Sequence, residues 1–162
     1  MPTKVTNVIV AGLGGQGVLK ATDILADVAL RAGYVVKKSE IKGMSQRGGS
    51  VTGDVRFGDA VFSPMVPAGE ADFLLVLEPT QVEPHRHLLR PGGVLVTPEA
   101  VDATKLPSKK TLNVAMLGAF SAHLQLPESH WLESLRHGFP EAFFDANRQA
   151  FLLGRSSQPQ RP

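Results

Sequence analysis

The stretch from Val5 to Gly17, VTNVIVAGLGGQG, restricts the possible folds more than any other part of the chain. An apolar run (5–11) suits a short buried strand. A glycine loop follows, and then VLKATDILADVALRAG, which has helical spacing. Val18, Ala21, Ile24, Leu25, Val28, Ala29 and Ala32 share one face, with Lys20, Asp23, Asp27 and Arg31 on the other. Gly33 suits the helix stop. YVVKK (34–38) reads as a second strand. The order strand, glycine loop, helix, strand implies parallel strands joined by a crossover.

Later segments extend an α/β pattern. VTGDVRFGDAVFS (51–63) reads as a β-hairpin turning at Gly58-Asp59. DFLLVLEP (72–79) is the most apolar run and suits a central strand ending at Glu78. Residues 80–89 fit a short helix, RPGG a turn, and VLVTP (94–98) a further strand. DATKLPSKK reads as a polar connection. Three helices are expected after it: NVAMLGAFSAHLQL with Asn113 as N-cap, PESHWLESLRHGF, and EAFFDANRQAFLLG stopping at Gly154. One domain over 1–154 and a disordered tail over 155–162 are the expected organisation.

Gly12, Gly14 and Gly17 match G-x-G-x-x-G in the context that such a motif requires. Glycines permit the tight turn and let a phosphate approach the backbone. The helix start offers free N–H groups to an anion. The bland alternative is a turn that merely packs strand on helix. A NAD site expects an acidic residue at the end of the second strand. Lys37 and Lys38 stand there, with Glu40 a little late. That disfavours NAD and leaves NADP or coenzyme A open, unless the lysines are only solvated strand-end charges.

A second loop, IKGMSQRGGSV, leaves the second strand on the edge where such sheets bind ligands. Arg47 can grip a carboxylate or phosphate in two places. Gly48 and Gly49 allow close approach, and Ser45, Gln46 and Ser50 add donors. Glu78 could meet a ribose or cap a loop. Phe139, Phe143, Phe144 and Phe151 suit core or interface. The five histidines lack ligand spacing, so no metal site is expected, and no catalytic set can be read.

Composition narrows the classes further. The apolar share of 43 % supports a packed core, and a net charge of +2 is too small for a dedicated nucleic-acid binder. With no cysteine, the chain cannot supply thiolates to zinc or iron–sulfur clusters. The early first strand leaves little room for a signal peptide, and no run of ~18 apolar residues is present. A cytoplasmic location is expected.

The ordered motifs VAGLGGQGVLKATDILA, SEIKGMSQRGGSVTGDVRFG, SPMVPAGEADFLLVLEP, LNVAMLGAFS and NRQAFLLG resemble the small subunit of 2-oxoacid:ferredoxin oxidoreductases. The nearest likeness is to the indolepyruvate:ferredoxin oxidoreductase beta subunit; the gamma module of pyruvate and ketoisovalerate enzymes is also similar. The resemblance runs from about Asn7 to Gly154, and GMSQRGGSV is its most specific block. It implies a Rossmann-like α/β fold with a mostly parallel sheet, flanking helices, a β-hairpin and C-terminal helices. It implies a role in oxidative decarboxylation of a 2-oxoacid to its acyl-CoA. Coenzyme A is then a co-substrate. Thiamine diphosphate and iron–sulfur clusters are expected on a large alpha subunit that passes electrons to ferredoxin. The candidate coenzyme A or substrate residues are Gly12, Gly14, Gly15, Gln16, Gly17, Lys38, Ser45, Gln46, Arg47, Gly48 and Gly49.

Overall fold

A computed structural model describes residues 4–42 and 49–158, apart from the side chain of Lys42. Five strands form one sheet: β1 (Val5–Leu13), β2 (Val35–Lys42), β3 (Ser50–Gly58), β4 (Ala71–Val76) and β5 (Leu89–Val96), in the order β2-β3-β1-β4-β5. β1 pairs parallel with β4, and β4 with β5, while β3 runs antiparallel to both β1 and β2. The sheet is therefore mixed, with β3 alone reversed. The helices are α1 (Val18–Arg31), the single turn α2 (Val82–His85), α3 (Leu112–Ser121), α4 (Glu128–Gly138) and α5 (Phe144–Ser156).

The expected hairpin is present, but elsewhere. β2 and β3 are its arms, joined through residues 43–49. Gly58 ends β3 rather than making a turn, and a Cβ there would lie 2.5 Å from the Lys4 carbonyl oxygen. Residues 61–66 form a strap across the sheet and not a strand. The RPGG turn is absorbed into β5 as an irregularity. Its register jumps from Ala71↔Leu89 to Phe73↔Val94, with Gly92 at φ 78°.

Alternation along the strands sets two unlike faces. Val8, Val10, Val55 and Phe57 face α1 and the C-terminal helices in the main core. Ile9, Ala11, Leu74 and Val76 face the other way, into a smaller cluster with Val66 and Leu88. In the main core Trp131 packs against Phe120 and Phe151. α3 and α5 cross with their backbones in contact. A Cβ on Gly118 would sit 2.0 Å from the Phe151 oxygen, and one on Gly154 would sit 1.7 Å from the Ala115 oxygen. Gly154 thus does not stop the last helix, which runs on to Ser156. Arg155 donates to Ser121 Oγ at 2.9 Å and pairs with Glu128 at 3.3 Å, so residues 155–158 belong to the fold and not to a tail. No described helix is long and apolar enough to cross a membrane.

Candidate functional site

The glycine loop links β1 to α1, and Gly12, Gly15 and Gly17 are held there by steric or backbone constraints. A Cβ on Gly12 would lie 2.9 Å from Val18 Cγ2 and 3.3 Å from Leu77 Cβ, leaving no room for a side chain. Gly15 and Gly17 adopt φ of 87° and 84°, in the left-handed region that glycine alone enters freely. Gly17 is also the N-cap of α1, and a Cβ there would be 2.3 Å from Asn113 Nδ2. The helix has no side-chain cap and no acid in its first turn. Its first N–H groups and partial positive charge are therefore available to an anion.

Gln16 braces the loop. Its Oε1 accepts from the Leu13 N–H at 2.7 Å, and its Nε2 donates to Glu78 Oε2 at 3.0 Å. Glu78 leaves the end of β4 beside this loop, and holding Gln16 is the role that its geometry displays. This fits the loop-capping option rather than an isolated carboxylate.

Opposite the loop lies a cleft of about 440 Å³, walled by Gly15, Gln16 and Gly17 on one side and by Lys109, Lys110 and Asn113 on the other. Leu77 and Leu112 line it further. Ser108 fixes the lysine turn: its Oγ accepts from the Lys110 N–H at 3.2 Å, and its carbonyl accepts from Thr111 Oγ at 2.6 Å. Both lysines are exposed. The cleft thus offers helix-start N–H groups, two ammonium groups and a small apolar wall, which suits a phosphate ester with an organic tail.

Asn113 is not the expected N-cap, since α3 begins at Leu112 with Thr111 as its cap. Asn113 is buried instead, and its Nδ2 donates to the Gly17 oxygen at 3.3 Å, tying α3 to the glycine loop. Lys109 and Lys110 close the polar connection DATKLPSKK. Their one sequence signal is a lysine pair just ahead of a strongly apolar helix; nothing local shows that this helix starts beside Gly17.

The second loop returns to the same edge. β1 ends at Leu13 opposite Ser50, and the Gly14 N–H donates to the Gly49 oxygen at 2.9 Å. Gly49 and the glycine loop are therefore neighbours. Ser45, Gln46, Arg47 and Gly48 lie outside the described residues. Lys38 is not brought to this cluster. It sits opposite Val55, which in turn sits opposite Val8, well down the sheet from Leu13. Its ammonium is hydrogen-bonded to Asp23 and lies 3.6 Å from Glu40; the Asp23 contact raises its pKa. A lysine so paired is poorly placed to receive a ligand phosphate at the glycine loop.

Elsewhere, a cleft of about 490 Å³ opens at the far edge of the sheet, beside Tyr34, Phe57 and Phe73, where Arg90 is already bound to Asp72 at 2.7 Å. His85 Nδ1 lies 2.8 Å from the Gln81 oxygen, and His137 Nδ1 lies 2.8 Å from the Glu133 oxygen. No group of three or more metal-ligating side chains occurs among the described residues.

The sequence profile described as "Pyruvate ferredoxin/flavodoxin oxidoreductase" matches residues 7–157. The indolepyruvate oxidoreductase subunit IorB of Thermococcus kodakarensis is 35 % identical, over 91 % of this chain and 93 % of that protein. The crystal structure of a keto/oxoacid ferredoxin oxidoreductase gamma subunit from Geobacter sulfurreducens superposes with a TM-score of 0.79 at 24 % identity, covering 95 % of this chain and 96 % of that one. A 2-oxoglutarate:ferredoxin oxidoreductase from Magnetococcus marinus, solved with 2-oxoglutarate, coenzyme A and succinyl-CoA bound, gives 0.83 at 21 % identity. The match covers 95 % of this chain and 31 % of that longer one. With a profile match and relatives that span nearly its whole length, the chain belongs to the pyruvate ferredoxin/flavodoxin oxidoreductase family, as a small subunit of the 2-oxoacid oxidoreductase type.

Proposed function

We propose that the chain is the non-redox small subunit of a ferredoxin-linked oxidoreductase acting on indolepyruvate or a related aryl or branched 2-oxoacid, and that it is inactive alone. Its glycine-loop cleft holds the phosphate-bearing part of coenzyme A. The whole enzyme decarboxylates the 2-oxoacid, joins the acyl group to coenzyme A and passes two electrons to ferredoxin. A large subunit supplies thiamine diphosphate and iron–sulfur clusters, chemistry for which this cysteine-free chain has no thiolates. Assembly takes place in the cytoplasm.

The observation that carries the coenzyme A role is Lys109 and Lys110 facing Gly15 and Gly17 across one cleft. Phosphates of the ligand would receive the lysine ammoniums and the first N–H groups of α1. Arg47 would add a contact from the loop whose stem reaches Gly14 through Gly49. The 2-oxoacid and the partner surface are the alternative targets proposed for Arg47.

A second reading, a stand-alone coenzyme A or nucleotide-binding module, is favoured by one fact. The cleft presents helix-start N–H groups and two ammonium groups, the donors that a phosphate requires. Calorimetry with coenzyme A, ATP and NADPH, on the chain alone and on the complex with its large subunit, separates the two. Coenzyme A binding that needs the complex supports the subunit reading. Tight binding to the isolated chain, with no large subunit co-purifying from the native source, supports the module. Absence of coenzyme A binding in both samples removes the assigned ligand.

A further inference from the structure

The two faces of the sheet are finished differently, and the thinner one carries an ordered apolar projection. Residues 61–66, VFSPMV, cross the face of β2 and β3 that the large helices leave uncovered. Sheet side chains hold this strap closely. Arg56 Nη1 donates to the Ser63 oxygen at 2.9 Å and to the Met65 oxygen at 3.3 Å. Arg56 is itself oriented by Nε donating to Asn7 Oδ1 at 2.8 Å. The Val66 N–H donates to the buried Asp54 carboxylate at 2.9 Å, and Ser39 Oγ reaches the Pro64 oxygen at 3.4 Å. Val61 and Val66 are buried on either side.

Between these fixed points Phe62 is 93 % exposed and Met65 54 %. Ile41, two residues beyond Ser39 on the same face of β2, is 53 % exposed. A free protein gains nothing from anchoring a loop so firmly while its phenylalanine stands in water. A bound one does, because the aromatic is already in position and little ordering entropy remains to be lost. Charge restricts the partner further. Lys37 lies opposite Arg56 in the ladder, is exposed, and has no ion-pair partner among the described residues. The complementary surface is an apolar pocket with a carboxylate at its rim.

We propose that this strap anchors the chain to the large oxidoreductase subunit, with Phe62 entering an apolar pocket and Lys37 meeting an acidic group beside it. The inference rests on the subunit reading above. The longer chain from Magnetococcus marinus supports the choice of occupant, because there the same fold is 31 % of a single polypeptide and is continuous with further protein.

The test measures the affinity of this chain for the purified large subunit from the same source. Phe62→Asp should weaken binding about 100-fold while the melting temperature of the free chain is unchanged, since the side chain is solvated. Phe62→Leu should stay within about tenfold. Lys37→Glu should weaken binding at low salt, and the deficit should shrink as salt rises. Phe143→Asp serves as a control, because Phe143 is 58 % exposed but precedes α5 on the helical side. Wild-type affinity for Phe62→Asp, or equal losses for Phe62→Asp and Phe143→Asp, overturns the anchor and leaves the subunit reading standing. Failure of the wild-type chain to bind the large subunit at all overturns both. Self-association of the chain alone, abolished by Phe62→Asp, overturns the assigned partner in favour of a second copy.

Discussion

The glycine loop and the α3–α5 crossing both depend on glycine, but for opposite reasons. At the crossing, Gly118 and Gly154 are needed because another backbone occupies the space of a Cβ. At the loop, Gly15 has nothing within 4 Å of where its Cβ would be, and only its φ of 87° demands glycine. Gly17 meets both constraints, with a φ of 84° and Asn113 Nδ2 at 2.3 Å. A glycine at a helix crossing and a glycine in a turn ahead of a helix therefore look alike in the sequence and unlike in three dimensions. The first constrains packing; the second constrains the direction in which the chain turns.

Alanine at each position breaks or sharpens this contrast. Gly154→Ala should be the most damaging, at roughly 3 kcal/mol or more, since the obstructing group is backbone and cannot rotate away; chemical denaturation measures it. A small loss would mean that α3 and α5 can separate freely and that the contrast is overstated. Gly17→Ala should cost about 1–3 kcal/mol and also weaken coenzyme A binding to the complex, as the Asn113 tie and the helix start shift together. Gly15→Ala should cost about 1 kcal/mol, with a larger relative effect on ligand affinity than on stability. Lys110→Ala should change stability by no more than about 0.5 kcal/mol and reduce coenzyme A affinity about tenfold, read by calorimetry. Equal stability losses at Gly15 and Gly154 would erase the distinction.

The unit from Val5 to Arg31 was legible because its signals are local: an apolar run, three spaced glycines and a helical period. The class of the fold followed from it. The hairpin was misplaced because Gly58-Asp59 has the composition of a turn. What Gly58 accommodates is the carbonyl of Lys4, more than fifty residues earlier, which no local pattern encodes. Asn113 was misread for the same reason. A residue before an apolar helix suits a cap, and only the placement of that helix against Gly17 turns it into a tie. Lys109 and Lys110 reach the cleft through that placement too. The candidate site was therefore half legible: the glycine arm could be read, while the lysine arm depends on how the C-terminal helices dock. Lys38 shows the opposite case. Its sequence distance from the glycine loop suited a ribose phosphate, but β3 lies between β1 and β2, and the ladder sets Lys38 level with Val8.

The intercalated position of β3 also orders events during synthesis. Among the described residues β1 has β3 and β4 as neighbours, and β2 has β3 alone. A nascent chain that has emerged only as far as Lys42 holds two strands that cannot pair in their native manner. Ser50–Gly58 supplies the first ladder to both at once. α1 covers β1 and β3 from one side, and the core behind them is completed only when residues 112–156 add α3, α4 and α5. The first 42 residues of this protein thus leave the ribosome with β1 and β2 lacking their native ladder partner, and chaperone access or early contact with another subunit is most consequential in that interval.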